Sequence, residues 1–166
     1  MTIAQSMLPE FDHEMATTRS LLERVPDAQA AWKPHGKSTA LGDLATHLVG
    51  LASWAVPVLS QPELDLNPPG GPGFKLPSFT STADLLQQFD ANVRAAREQI
   101  AGTSDADLMV PWSLKSGGHA IFTMPRIAVM RMFFMNHIIH HRGQLSVYLR
   151  LNDVPLPSIY GPTADT

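Results

Sequence analysis

Four stretches of this chain carry apolar side chains at intervals of three and four residues, the spacing that lines one face of an α-helix. The clearest is residues 125–151, PRIAVMRMFFMNHIIHHRGQLSVYLRL, with no internal proline and a single glycine. At about 100° per residue, Met130, Phe133, Phe134, His137, His141, Leu145 and Tyr148 fall on one face, with Gln144 beside them. Two histidines thus sit in the middle of a stripe that a helix would bury. Residues 4–24 predict a first helix, with Leu8, Phe11, Met15, Thr18, Leu22 and Val25 inward and Pro9 tolerated near its start or delaying it. A second spans 40–56, with Leu44, His47, Leu48, Leu51, Trp54 and Val58 on one face, Ser38 or Thr39 as cap and Asp43 near its positive end. A third starts at Ser81 or Thr82, buries Leu85, Leu86, Phe89, Val93, Ala96 and Ile100, and ends on Gly102 in the left-handed conformation.

The connections are equally marked. Residues 57–79, PVLSQPELDLNPPGGPGFKLPSF, are too rich in proline and glycine for one continuous element and predict a long loop over one end of the molecule. Residues 107–123 hold two short apolar stretches around SGGH, the pattern of a small β-hairpin or a pair of extended segments. Thr123 is placed to cap the last helix, and Ile159 and Tyr160 anchor a proline-rich tail. Four amphipathic helices with a long crossing loop after the second predict an all-α, antiparallel four-helix bundle with a minor hairpin, formed as a single domain over residues 1–166.

Charge and composition narrow the chemistry. A net charge of −3 provides no drive toward nucleic acid or anionic lipid. The chain has no cysteine, which removes disulfides, thiolate ligands and a cysteine nucleophile together. No glycine-rich phosphate loop is present. The start, MTIAQSMLPEFDHE, lacks the basic and apolar regions of a secretory signal, and no uncharged apolar run approaches a membrane span, so the cytoplasm is the expected compartment.

Histidine and carboxylate remain for binding metal. His137 and His141, at i and i+4, stand about 5–6 Å apart at Cβ on one helix face, close enough to share an ion. His140 points about 80° from the stripe centre by the helical period, to a flank where it supports the ligands, joins an interface or meets solvent. His47 taken alone reads as a core histidine rather than a ligand. Three inward imidazoles on two helices ask for a common explanation. Glu14 lies on the edge of its stripe, where it reaches a bundle interior and is a candidate for proton transfer or ligand support. Gln144 is a candidate for holding a bound water or substrate, or a polar residue at the open end of the core. Arg142 points off the stripe toward an ion pair or interface contact, Gly143 lets a neighbour approach, and His13 and His119 read as surface residues. Trp54, Trp112 and Tyr148 read as packing.

A histidine in LGDLATHLVGLASW, followed by NHIIHHRGQLSVYLRL and DVPLPSIYGPTAD, resembles the DinB/YfiT-like superfamily of damage-inducible four-helix-bundle proteins. WKPHGKS and PWSL resemble it too, so the similarity covers nearly the whole chain. The resemblance implies a divalent ion held by His47, His137 and His141, and often a homodimer. Relatives of this kind include bacillithiol S-transferases, a mycothiol-dependent maleylpyruvate isomerase and the bundle domain of ergothioneine-type sulfoxide synthases. It therefore implies a metal-dependent thiol S-transferase or hydrolase acting on a small molecule, with a low-molecular-weight thiol as partner. The alternative is a non-catalytic stress-response protein with a structural ion. Three imidazoles suit zinc or nickel, and also accept iron or manganese.

Overall fold

The structure, a computed structural model, describes residues 1–75 and 77–166; Leu76, inside the expected loop, lies outside the described residues. The chain is mostly helical with one small three-stranded sheet.

Helix α1 (Ile3–Leu22) opens on a reciprocal cap in which the Gln5 N–H donates to the Thr2 hydroxyl and the Thr2 N–H donates to the Gln5 side chain. That closure sets the start at Ile3, and the helix runs through Pro9, which forgoes one backbone hydrogen bond. After a 3₁₀ turn at Asp27–Gln29 comes α2 (Leu41–Ala52). The expected cap by Ser38 or Thr39 is not made. Ala40 holds the cap position, and the Leu41 and Gly42 N–H groups donate to the Trp32 and Ala30 carbonyls, each at 2.9 Å. The connecting segment folds back onto the helix end and supplies backbone acceptors in place of a hydroxyl. Gly42 permits this approach, since a Cβ there would stand 2.9 Å from the Phe79 ring and 3.0 Å from Ala30.

The second predicted helix is two helices. It breaks at Ser53–Trp54, where the Ser53 hydroxyl donates to the Gly50 carbonyl at 2.7 Å, and resumes as α3 (Ala55–Ser60). The run Leu41–Ser60 reaches the length and hydropathy of a membrane span although it carries Asp43, and 67% of its most apolar window is buried inside the protein, as in a core helix. Strand β1 (Glu63–Asp65) lies in the proline-rich connection and pairs in parallel with β2 (Pro111–Ser116). Three residues are too short to show a period of two.

Helix α4 (Thr82–Gly102) begins where its sequence predicts, the Ser81 hydroxyl accepting from the Asp84 N–H at 3.1 Å. Its end differs from expectation. Gly102 is the last helical residue and has no positive φ; the chain leaves through Thr103 in extended conformation. A short helix α5 (Asp105–Leu108) leads to the hairpin of β2 and β3 (His119–Pro125). Its two-residue turn places Gly117 and Gly118 at φ 62° and 79°, where a Cβ is strained. Thr123 is not the expected cap: it pairs across the sheet with Ser113, and β3 continues to Pro125. The last helical run comprises α6 (Arg126–Ala128), a π-helical stretch Val129–Met135, and α7 (Asn136–Leu151).

Helices α1 and α2 each pack on both α4 and α7. One continuous core joins Phe11, Leu48, Phe89, Ile138 and Leu145 from these helices to Phe134 of the π-helical stretch and Trp112 of the hairpin. The Trp112 indole is fully buried and donates to the Pro57 carbonyl at 3.2 Å, which ties the sheet to α3.

Candidate metal centre

The π-helical stretch decides what α7 buries. Its i→i+5 bonding inserts one extra residue per turn and sets back the phase of everything after it by roughly 100°. The side chains of α7 that enter the core are Ile138, Arg142, Leu145 and Leu149: Leu145 belongs to the face a uniform helix would bury, and the other three stand one position on from His137, His141 and Tyr148 of that face. His137 and His141 turn to the edge of the core and are half-buried. Arg142, expected off the stripe, is buried, with 1% of its surface exposed.

At that edge His137 and His141 meet His47 of α2. The ring centroids stand 4.5 Å apart for His47 and His141, 4.7 Å for His137 and His141, and 5.2 Å for His47 and His137. One nitrogen from each ring lies within 4.8 Å of the other two. Nitrogen ligands of a tetrahedral ion stand about 3.4 Å apart, so modest ring rotation brings these three to ligating distance. Among the described residues no other histidine, cysteine or carboxylate joins the group.

The surroundings suit a cation better than a proton. Burial, followed by repulsion from the other two rings, holds the His47 pKa down to about 4. His137 and His141 are lowered as well, burial again being the main cause. All three rings are neutral at pH 7, with lone pairs to offer. His141 Nδ1 lies 2.7 Å from Gln144 Oε1; the amide oxygen accepts, so Nδ1 carries the proton and Nε2 keeps its lone pair. His137 Nδ1 is buried and makes no well-aligned hydrogen bond, with the Phe133 carbonyl one turn back working against the effect of burial on the ring. The donor set and its protonation fit a divalent ion.

A cavity of about 470 Å³ opens against His47 and His141. Lys37, Ser38 and Thr39 line it from the segment that leads into α2, Asp43 and Leu44 from the first turn of α2, and Gln144 and Tyr148 from α7. On the opposite flank His137 packs edge-on against Phe133 at 5.5 Å, and Phe133 against Trp54 and Phe122.

The remaining candidates lie elsewhere. Glu14 is buried on α1, where its carboxylate accepts from the Tyr160 hydroxyl at 2.9 and 3.0 Å and pairs with Arg142 at 2.5 Å. Arg142 also donates to the Glu14 carbonyl and to the Tyr160 oxygen. Glu14 is thus engaged in a buried ion pair and does not line the cavity. His140 is exposed, 4.9 Å from the His141 ring, and His13 is exposed and stacks on Tyr160. Sequence reasoning missed Lys37, Ser38, Thr39 and Asp43 as cavity residues. For Asp43 a signal existed, since it precedes His47 by four residues and shares its face.

The sequence profile of the DinB superfamily matches residues 10–145. The fold is similar to that of a DinB-like protein from Bacillus cereus ATCC 10987, with TM-score 0.70 and 24% identity over 96% of this chain and 98% of that one. A DinB-like protein from Bacillus subtilis is similar with TM-score 0.69 and 17% identity, over 95% of this chain and 99% of that one. No curated protein matches the sequence. With the profile covering most of its length, the chain belongs to the DinB superfamily.

Proposed function

We propose that this protein holds one divalent ion through His47, His137 and His141 and acts as a metal-dependent enzyme, either transferring a thiol to an electrophile or hydrolysing a small substrate. The observation that supports this most is an open cavity set against a group of three neutral imidazoles. Structural zinc ordinarily takes four protein ligands, whereas three leave a position for water or substrate. Once bound, the ion supplies a Lewis-acid centre that stabilises a thiolate or polarises a carbonyl oxygen.

The chain's own residues do the rest. Gln144 holds His141 in the tautomer that presents Nε2. Leu44 and Tyr148 form apolar wall against which a substrate displaces water, and the Phe133 ring backs His137. Zinc or nickel suits this donor set, with iron or manganese as accepted substitutes. A low-molecular-weight thiol is the partner in the transferase reaction. The protein works as a cytoplasmic homodimer of single-domain chains without nucleic-acid or membrane partners. Its four long helices form an antiparallel bundle, a reading supported by the way α1 and α2 each pack on α4 and α7.

The deciding experiment is elemental analysis by mass spectrometry of untagged protein, wild type beside His47→Ala and His137→Ala. About one divalent ion per wild-type chain, with little in either variant, is expected and leads to a substrate screen with thiols, electrophiles, esters and amides. Failure to retain zinc, nickel or manganese after reloading would remove the basis for the proposal.

A further inference from the structure

The cavity beside the histidines carries opposite charges, and neither is satisfied by the protein. Lys37 and Asp43 both line it as exposed residues, and neither enters any ion pair among the described residues. Ser38 and Thr39 border the same space, and their hydroxyls are released from capping α2, because backbone carbonyls of the preceding segment take that part. These groups are ordered along the chain. Asp43 is one helical turn from His47, and Thr39, Ser38 and Lys37 lie beyond the helix start. Along the chain away from His47, an acceptor of cations thus comes first and donors to anions second. On the α7 side the Gln144 amide nitrogen is free to donate, since its oxygen serves His141.

We propose that this cavity binds the head group of an α-amino acid, with the ammonium on Asp43, the carboxylate on Lys37 and the hydroxyls of Ser38 and Thr39, and the side chain directed at the three histidines. A volume of about 470 Å³ suits a molecule of one or two residues. Adjacent charges of opposite sign on one carbon match adjacent, unpaired charges of opposite sign on the wall. A purely anionic ligand would leave Asp43 facing like charge, and a purely cationic one would leave Lys37 so. This inference rests on the histidine cluster being a metal site, and names what that site is built to receive.

Cobalt(II)-loaded protein tests it, because a thiolate that reaches the ion adds a charge-transfer absorption band that can be titrated without any turnover. Three probes divide the head group: L-cysteine has both charges, cysteamine lacks the carboxylate, and 3-mercaptopropionate lacks the ammonium. L-cysteine is expected to bind about three- to fivefold more tightly than either, as suits solvent-facing charge pairs. Lys37→Ala is expected to weaken L-cysteine and 3-mercaptopropionate by about that factor and to leave cysteamine unchanged. Asp43→Asn should weaken L-cysteine and cysteamine and leave 3-mercaptopropionate unchanged. Equal affinities for the three thiols, or variants that weaken all three alike, overturn the inference while the metal site stands. A wild-type protein that takes up no cobalt overturns both.

Discussion

Breaking the buried pair of Glu14 and Arg142 tests the physical account of this fold most sharply. Arg142 is 1% exposed and Glu14 6%. Their contact at 2.5 Å is supported by Tyr160, which donates to both Glu14 oxygens and accepts from Arg142. Glu14→Leu strands a positive charge in the core and Arg142→Met strands a negative one; either is expected to lose about 3–5 kcal/mol of stability. The double variant Glu14→Leu/Arg142→Met removes both charges and leaves apolar volume between α1 and α7. It is expected to match the wild type or exceed it by about 1–4 kcal/mol. Simple addition of the single losses would instead give about 6–10 kcal/mol, so the coupling energy is the measured quantity. Urea denaturation followed by circular dichroism supplies it, provided the slope with denaturant stays constant across the four proteins. Additive losses, or single variants within about 0.5 kcal/mol of wild type, would refute the claim that this is a desolvated charge pair.

Other outcomes follow from the same geometry. The folded-state pKa of His47 is about 4 against 6.5 for the free side chain, so below pH 6.5 the unfolded chain takes up a proton that the folded one refuses. Stability of the metal-free protein is therefore full above pH 6.5 and declines as pH falls toward 4. The loss is about 1–2 kcal/mol from His47 after allowance for its partial exposure, and thermal melts across that range that stay flat would contradict it. Gln144→Ala removes the partner that orients His141; metal affinity measured by competition with a chelator should fall about 10- to 100-fold, with the melting temperature of the metal-free protein unchanged. Gly118→Ala forces a Cβ at φ 79° and is expected to lose about 1 kcal/mol in urea denaturation; no loss would mean the turn relaxes freely.

Much of the architecture was legible because its causes are local. Ser81 starts α4 by a bond to an amide three residues away, and Gly117-Gly118 turns the hairpin through two backbone angles. Spacings of three and four residues mark α1, α4 and the last helix for the same reason. Where expectation failed, a remote group had intervened. Ser38 and Thr39 lost the α2 cap to the carbonyls of Trp32 and Ala30, and the single second helix yielded to a break at Ser53–Trp54. Strand β1 exists because β2 lies beside it, and nothing in three residues announces that.

The candidate site divides in the same way. The amino-acid sequence by itself determined that two histidines share a face of the last helix, that a third lies on an inward stripe of α2, and that cysteine chemistry is excluded. Helical periodicity and composition suffice for those. Only the tertiary structure decided that the three rings meet, because that depends on how α2 packs on α7. It also decided which face of α7 enters the core. The π-helical stretch resets the phase by one residue, sends Arg142 inward to Glu14, and leaves His137 and His141 at the core edge. A uniform helical period contains no term for that reset, and the pair that accompanies it joins residues 128 positions apart in sequence.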